Sequence, residues 1–314
     1  MGGGSVRDVA DRLMLLDTAS LYFRAFYGVP DSVVSPQGEP VNAVRGLIDM
    51  IARLVGANRP QRLVAAMDHD WRPAFRVELV STYKLHRVAT GNEELVPDLL
   101  SPQVPVIEEV LDALGIAVVG AAHCEADDVI GTLCTRHKGP VDIVTGDRDL
   151  FQLVDDSRPV RVLYTQKGIS NLVLVDEAEV TRRYGIPGRA YADFALLRGD
   201  PSDGLPGVPG VGEKTAAALI NAHGSLPGIL TALDSGEEKG FPAGARTKLL
   251  AARDYLETAP KVVAVVCDAP IPELDDTLPT APRDAERLVR LADRWGLDGP
   301  LNRLLGVLGH NECG

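Results

Sequence analysis

The stretch HCEADDVIGTLCTRHKGPVDIVTGDRDLFQL (residues 123–153) decides the fold predicted for this chain. The run VIGTLCTRH is expected to form a helix, and VDIVT, which follows a turn at Gly139 and Pro140, a buried strand. Two tight groups of acids, one at the start of the helix and one just past the strand, contain Glu125, Asp127, Asp128, Asp147 and Asp149. The positive end of the helix dipole favours the first group. The second group would lie in the crevice where open parallel α/β sheets bind ligands.

Acids follow two further apolar strands in the same way. Asp17 ends LMLLD and Asp68 ends RLVAAMD, and the loop GDPSDGLPG adds Asp200 and Asp203. Acids in such positions often only cap helices on a solvated face, and this would suffice for either group of the central stretch. Nine acids at strand ends and loop tips exceed what capping needs. Because like charges repel, the pattern predicts divalent cations held by oxygen ligands at one edge of a mostly parallel sheet.

Length and charge set wide limits. At 314 residues the chain can form one large domain or two. The net charge of −12, from 44 acidic and 32 basic residues, at face value argues against a nucleic-acid-binding protein. Nine of these acids are the clustered ones, whose charges bound cations would partly offset. The local distribution of Arg and Lys is therefore more informative than the total.

Neither the cysteines nor the apolar runs indicate an extracellular or membrane protein. The four cysteines form no CxxC pair, which disfavours a disulfide framework or a zinc site. No apolar run approaches the ~20 residues that a membrane span needs, and the N-terminus lacks the pattern of a signal peptide. We therefore expect a cytoplasmic protein without membrane contact, disordered at its glycine-rich N-terminus (1–6) and at its tail (310–314).

Residues 69–103 combine positive charge with aromatic rings and show no strong apolar period after Val80. The basic residues are Arg72, Arg76, Lys84, His86 and Arg87, and the aromatic residues among them are Trp71, Phe75 and Tyr83. One interpretation is an amphipathic helix followed by a solvated loop. The other is a mobile basic segment over the acidic edge, where charge and base stacking would suit single-stranded nucleic acid.

The glycine-rich motif GVPGVGEKT (207–215) resembles a phosphate-binding P-loop, but Glu213 stands where that motif requires Gly and no strand precedes it. We predict instead a hairpin that opens a helix at Lys214. Backbone N–H groups at such a helix start can contact phosphates. The alternative is an ordinary loop between helices, which three bare glycines followed at once by Lys214 make less attractive.

Two other segments carry predictions about the sheet. PVRVLYTQKGISNLVLV is expected to form a β-hairpin that turns at Lys167 and Gly168. KVVAVVCDAPI is expected to be either a strand or an extended packing segment. Helical spacing of apolar residues predicts helices over most of the remaining chain.

The motifs LMLLD, AMD with the following FR and YK, CEADDVIGTL, TGDRDLFQL and GDPSDGLPGVPGVGEKTA occur in this order. They resemble the structure-specific 5′ nucleases, that is, the flap endonucleases and the 5′–3′ exonuclease domain of bacterial DNA polymerase I, here expected to be free-standing. The resemblance covers about Leu13 to Leu308. It implies a PIN-like α/β fold, in which a mostly parallel sheet is flanked by helices, with a helical arch at about 70–103. A catalytic core (1–198) would be followed by a helix-hairpin-helix region (199–314) packed on it.

The resemblance also implies roles for single residues. The first metal ion would be held by Asp17, Asp68, Glu125 and Asp127, and the second by Asp147, Asp149, Asp200 and Asp203. The catalytic residues would be Lys84 at the scissile phosphate, Arg87, and Asp128 close to the first metal. DNA would be bound by Arg76 in the arch and by the hairpin residues Gly207, Gly210, Val211, Gly212, Lys214 and Thr215, with a potassium ion on main-chain carbonyls. Gly204 departs from the family, which usually has Asn there.

These features predict a monomeric 5′–3′ exonuclease and flap endonuclease that uses two or more Mg²⁺ or Mn²⁺ ions. Its substrates would be flaps, nicks, gaps or 5′ overhangs in DNA, with RNA–DNA hybrids as a further candidate. Two alternatives are a DNA-junction binding protein that does not cut, and an RNA-directed phosphodiesterase. The complete set of acids disfavours the first, and the hairpin motif disfavours the second.

Overall fold

The strands and helices below belong to a computed structural model that describes residues 11–91 and 93–309. The predicted disorder of the N-terminal glycines and of the tail concerns residues outside these ranges. The strands are β1 (Leu13–Asp17), β2 (Arg62–Ala66), β3 (Val88–Thr90), β4 (Glu93–Glu94), β5 (Ala117–Val119), β6 (Val141–Thr145), β7 (Val160–Tyr164) and β8 (Val173–Val175). The helices are α1 (Thr18–Gly28), α2 (Asn42–Asn58), α3 (Ala74–Leu79), α4 (Gln103–Leu114), α5 (Ala126–Arg136), α6 (Glu177–Tyr184), α7 (Tyr191–Arg198), α8 (Glu213–His223), α9 (Leu226–Asp234), α10 (Ala245–Ala251), α11 (Arg253–Thr258), α12 (Pro260–Val263), α13 (Ala285–Trp295) and α14 (Asp298–Gly309).

The central sheet has the strand order β5-β2-β1-β6-β7-β8. Its pairs are parallel except the last, in which β8 runs antiparallel to β7. The predicted mostly parallel α/β fold is confirmed, and so is the predicted β-hairpin, which is formed by β7 and β8. From β1 the chain continues to β2 and β5 on one side and then crosses to β6 on the other side of β1. Such a reversal of strand order opens a crevice at the carboxyl ends of β1, β2 and β6.

Helices cover both faces of the sheet, as the side-chain alternation of β1 requires. All five residues of β1 are buried: Leu13 and Leu15 face the core cluster that includes α5 and α7, while Met14 and Leu16 face the cluster of α2, α4, α13 and α14. The closing helices α13 and α14 belong to this second cluster and pack on α4 and α2, respectively. Within the described ranges no single helix is long and apolar enough to cross a bilayer, and only α8 and α9 taken together, across a 77° bend, meet that criterion.

The basic segment at 70–103 is less solvated than its sequence predicts. It contains the short helix α3, turns, and the small antiparallel pair β3–β4. Four of its residues are buried: Arg72, Arg76, Tyr83 and Lys84. The expectation of a solvated segment is therefore wrong at these four positions. The charges are tolerated because main-chain carbonyls and acids of the core accept their hydrogen bonds; Arg72 Nε, for example, donates to the carbonyl of Tyr83 at 2.6 Å.

The segment KVVAVVCDAPI joins no sheet, so the prediction of a strand is wrong and that of an extended packing segment holds for its second half. Its first residues form α12, with Pro260 at the first helical position, where the missing N–H costs nothing. The rest runs along α5. There Val266 N donates to Asp128 Oδ1 at 2.8 Å and Ala269 N to Thr132 Oγ1 at 3.0 Å, so side-chain acceptors replace a strand partner.

Candidate active site

A cleft of about 610 Å³ opens at the carboxyl ends of β1, β2 and β6. Five predicted metal ligands and two predicted catalytic cations line it: Asp17, Asp68, Glu125, Asp127, Asp147, Lys84 and Arg87. The strand-end acids meet because β2 and β6 both pair in parallel with β1. Glu125 and Asp127 reach the same edge from the start of α5.

Asp17 lies at the centre of this edge. It ends β1, accepts from Ser20 N at 3.1 Å as the cap of α1, and accepts from Thr145 Oγ1 of β6 at 2.5 Å. Burial raises the pKa of Asp17 to about 7; the bond from Thr145 opposes this rise, and the negative charges of Asp68 and Asp147 add to it. These carboxylates therefore resist ionising together, and a cation among them would remove that resistance.

Asp127 and Asp147 repel their neighbours in the same way. Burial is the largest cause that raises the pKa of Asp127 well above its usual range, and the charges of Asp147 and Asp17 add to it. Burial also raises the pKa of Asp147. Crowded carboxylate oxygens fit a hard divalent cation such as Mg²⁺ or Mn²⁺. Among the described residues no three or more His, Cys, Asp or Glu side chains are arranged as a ready site for a metal ion, so this assignment depends on donor chemistry.

The acids predicted for the second metal occupy three different environments. Asp147 lines the cleft. Asp149 lies beside it, where burial raises its pKa well above the usual range and the charges of Asp147 and Asp203 add to the rise. Asp200 is buried and pairs with Arg198 at 3.1 Å. The structure therefore brings Asp149 and Asp203 to the edge of the site, whereas the carboxylate of Asp200 braces its own loop.

Lys84 lies inside the cleft, in contact with a predicted metal ligand. Its Nζ donates to Glu125 Oε2, and Tyr83 Oη donates to Glu125 Oε1 at 2.7 Å. Burial by itself would lower the pKa of Lys84, but the interactions with Glu125, Tyr83 and Asp203 together outweigh burial, so this pKa is raised well above its usual range. The lysine is therefore a fixed positive charge beside the acids. Tyr83, which the sequence reading treated only as an aromatic residue for stacking, helps to hold Glu125.

Arg76 and Asp128 form a buried ion pair, which corrects the roles predicted for both. The Arg76 side chain is 3% exposed and donates to both oxygens of Asp128, at 2.6 and 2.8 Å, so it is not presented to DNA. Asp128 is fully buried and closes the capping box of α5 by accepting from Glu125 N at 3.1 Å. These contacts make Asp128 a structural partner of Arg76 and leave it no access to the cleft.

The predicted glycine-rich hairpin (207–215) precedes α8, which begins at Glu213, one residue before the predicted start. Gly212 caps the helix and a Cβ there would meet nothing within 4 Å, so its backbone is open to a ligand. Lys214 is exposed beside it, Thr215 is half-buried, and Val211 is buried under the turn. Exposed main chain next to a cation suits a phosphate backbone.

Two hairpin glycines contact other parts of the chain. Gly207 is buried, and a Cβ there would lie 2.4 Å from the N atom of Gly199, so its predicted DNA contact is replaced by contact with neighbouring backbone. Gly210 is exposed, with φ +78°. Lys248 Nζ donates to the Gly210 carbonyl at 2.8 Å, so an ammonium already lies at one of the main-chain carbonyls that a potassium ion would use.

Sequence reasoning missed one group of residues that line the cleft. These residues are Arg148, Tyr164, Gln166, Arg183 and Tyr184. The guanidinium of Arg183 lies over the ring of Tyr164, 5.7 Å from its centroid. Arg148 stands between two of the predicted metal ligands in TGDRD and could have been found there. The others come from β7, the turn after it and α6, and no local pattern marks them.

Known proteins match most of this chain. Residues 12–185 match the family model of the 5′–3′ exonuclease N-terminal resolvase-like domain, and residues 186–286 that of the 5′–3′ exonuclease C-terminal SAM fold. A 5′–3′ exonuclease of Streptomyces coelicolor is 62% identical over 94% of this chain and 99% of its own. DNA polymerase I of Mycobacterium bovis is 40% identical over 90% of this chain and 30% of its own.

The fold recurs in a solved structure at low sequence identity. The flap endonuclease of bacteriophage T5, crystallised with DNA and metal ions, superposes with a TM-score of 0.63 at 16% identity, covering 96% of this chain and 99% of that one. The family resemblance identified from the five motifs is confirmed by the two family models and the close relative. With two family models spanning the sheet and the hairpin region, and a relative at 62% identity along nearly its whole length, the chain belongs to the 5′–3′ exonuclease family.

Proposed function

We propose that this protein is a divalent-metal-dependent 5′ nuclease that hydrolyses phosphodiester bonds in branched, nicked or gapped DNA. One observation carries the proposal: five carboxylates at strand and helix ends share a cleft with Lys84 and Arg87. The acids suit metal ions, and the cations suit a phosphodiester. Such a pairing is expected of a site that brings a metal and a phosphate together.

The acids divide into two candidate ligand sets. Asp17, Asp68, Glu125 and Asp127 would hold one ion, and Asp147, Asp149 and Asp203, with Asp200 at their edge, would hold a second. Mg²⁺ or Mn²⁺ in such sites would supply an activated water and offset charge on the leaving oxygen. Lys84 and Arg87 would offset the charge that develops on the phosphate. With this chemistry the chain needs no Ser, His or Cys nucleophile.

The hairpin around α8 is proposed to bind the duplex part of the substrate. Gly212 leaves its backbone bare, and exposed Lys214 adds a positive charge at the helix start. The contact would fix the position of the DNA without reading its sequence. We accordingly propose a catalytic core up to about residue 198, followed by a DNA-binding region, in a protein that acts as a monomer.

Cleavage of a panel of 5′-labelled DNAs tests the proposal. Flap, nick, gap, 5′-overhang and RNA–DNA hybrid substrates are compared in Mg²⁺, in Mn²⁺ and in EDTA, with Asp147→Asn as the matched variant. We expect metal-dependent release of labelled product by the wild type and none by Asp147→Asn, although both bind DNA. Binding of junctions without any cleavage by the wild type would favour the non-cutting alternative, and preference for RNA over every DNA would favour the phosphodiesterase.

Metal binding can be measured without cleavage. A ligand that binds only the folded state stabilises it by about 2.7 kcal/mol at a free concentration 100 times its Kd. We expect Mg²⁺ or Mn²⁺ to raise the Tm of the wild type and to raise that of Asp147→Asn less. The variant should also be the more stable of the two in EDTA, since it lacks one of the mutually repelling charges. Equal metal-induced shifts would argue against Asp147 as a ligand.

A further inference from the structure

We propose that Gly204 is a positioning residue of this nuclease. It allows the base of the arch, residues 82–87, to dock on the metal-site loop, residues 200–205. The docking fixes the place of Lys84 and Arg87 over the cleft. The inference rests on the proposed function for its catalytic consequence, while the docking itself is a property of the free protein.

Four hydrogen bonds join the arch base to the metal-site loop. Lys84 N donates to the Asp203 carbonyl at 2.9 Å, and Thr82 Oγ1 donates to the Gly204 carbonyl at 2.7 Å. Arg87 Nη2 donates to the Ser202 carbonyl at 2.7 Å and to Asp203 Oδ1 at 3.1 Å. Three of the four are accepted by main-chain carbonyls of the loop, so they depend on the position of the loop backbone and not on its side chains.

Gly204 is the point of closest approach. A Cβ built on it would lie 2.1 Å from the carbonyl oxygen of Thr82 and 3.4 Å from Lys84 N. A carbon atom cannot lie nearer than about 3.0 Å to such an oxygen. No choice of rotamer relieves this contact, because both partners are fixed by the backbone. Any other residue at position 204 must therefore move the two segments about 1 Å apart.

The metal-site loop cannot absorb this movement at low cost. Asp200 and Leu205 close it with two main-chain bonds, of 3.0 and 2.9 Å, and Asp203 N donates to the Asp200 carbonyl at 3.2 Å. The arch base is constrained as well, since Lys84 has a left-handed backbone (φ +46°) while its side chain reaches Glu125. The separation would be transmitted to the Lys84 ammonium. A displacement of about 1 Å at a catalytic group can lower a rate by about 10²-fold.

Gly204→Ala tests the inference, with Gly185→Ala as its matched control. Both glycines have φ +69°, but a Cβ at Gly185 meets nothing within 4 Å, so the control carries the same backbone strain without the collision. Single-turnover cleavage at saturating enzyme and hydrogen exchange of the amides of residues 82–87 are measured for each. We expect Gly204→Ala to lose roughly 10²-fold in rate and most of its amide protection, and DNA affinity to change by only a few-fold. Gly185→Ala should match the wild type.

The variant Gly204→Asn distinguishes a steric collision with Thr82 from backbone strain at position 204. Asn tolerates a left-handed backbone better than Ala does, so strain alone predicts a milder effect for Gly204→Asn. The collision with Thr82 predicts equal loss for both variants. A rate and protection in Gly204→Ala equal to those of Gly185→Ala would overturn the inference, as would full recovery by Asn.

Two further measurements apply if Gly204→Ala does not fold or if the wild type does not cleave DNA. If Gly204→Ala does not fold by circular dichroism, Thr82→Val removes one docking bond without strain, and protection of the Lys84 amide should fall; unchanged protection overturns the inference. If the wild type cleaves no DNA, the proposed function fails, and amide exchange in Gly204→Ala still decides whether Gly204 permits the docking.

Discussion

Replacing Arg76 by Ala distinguishes the structural role seen here from the DNA contact that the sequence suggested. The guanidinium donates to both oxygens of Asp128, to Glu125 Oε1 at 3.2 Å and to the Val262 carbonyl at 3.0 Å. Asp128 is fully buried. In Arg76→Ala the Asp128 carboxylate would stay in the interior. It would keep the N–H donors of Glu125 and Val266 but lose the bidentate guanidinium.

The expected loss is large because the remaining charge cannot reach water. Removing one partner of a buried ion pair costs about 3–5 kcal/mol. Each 1 kcal/mol lowers the Tm of a long chain by roughly 2 °C, so the Tm should fall by roughly 6–10 °C. Arg303→Ala is the control, since Arg303 and Asp49 form an exposed pair at 2.8 Å. Exposed pairs contribute at most about 1 kcal/mol.

Urea titration followed by circular dichroism measures the free energy of unfolding of each variant. Combining Arg76→Met with Asp128→Asn removes both charges, so part of the loss should be recovered relative to Arg76→Ala. DNA binding is measured at a temperature where every variant is folded, and Arg76→Ala should bind within a few-fold of the wild type. An unchanged unfolding free energy together with weak DNA binding would refute this reasoning and support the arch contact.

Three further changes test other parts of the site. Lys84→Ala should lower the single-turnover rate at saturating enzyme by about 10²–10³-fold, as for the loss of one electrostatic donor, and a rate within a few-fold of wild type excludes a catalytic role. Lys214→Ala should weaken duplex binding and reduce its salt slope by about one; an equal fall in the saturating rate contradicts a role in binding alone. Asp142→Asn removes a buried acid that pairs with Arg12 and Arg161 at the other end of β6. It should cost about 1–3 kcal/mol of stability with an unchanged rate per folded molecule, and a lost rate would show that the two ends of the strand are coupled.

Local sequence was sufficient to predict the sheet and the acids at its edge. The apolar runs of β1, β2 and β6 each end in an acid, and parallel strands place their carboxyl ends together, so Asp17, Asp68 and Asp147 had to meet once the strands paired. The hairpin before α8 was equally readable, because glycine and proline mark turns within a few residues. Sequence patterns predict a structural feature well when the residues that determine the feature lie close to it along the chain.

Tertiary structure decided the roles of the arch residues. Arg76 and Lys84 looked alike in sequence, as cations among aromatic rings, yet one pairs with Asp128 in the interior and the other with Glu125 in the cleft. Gly204 gains its importance from the Thr82 carbonyl, 122 positions away in the chain. Whether a cation faces solvent, a carboxylate or the core depends on how a long connection folds back. That path is set by desolvation and by the acceptors it meets, which no local pattern of residues encodes.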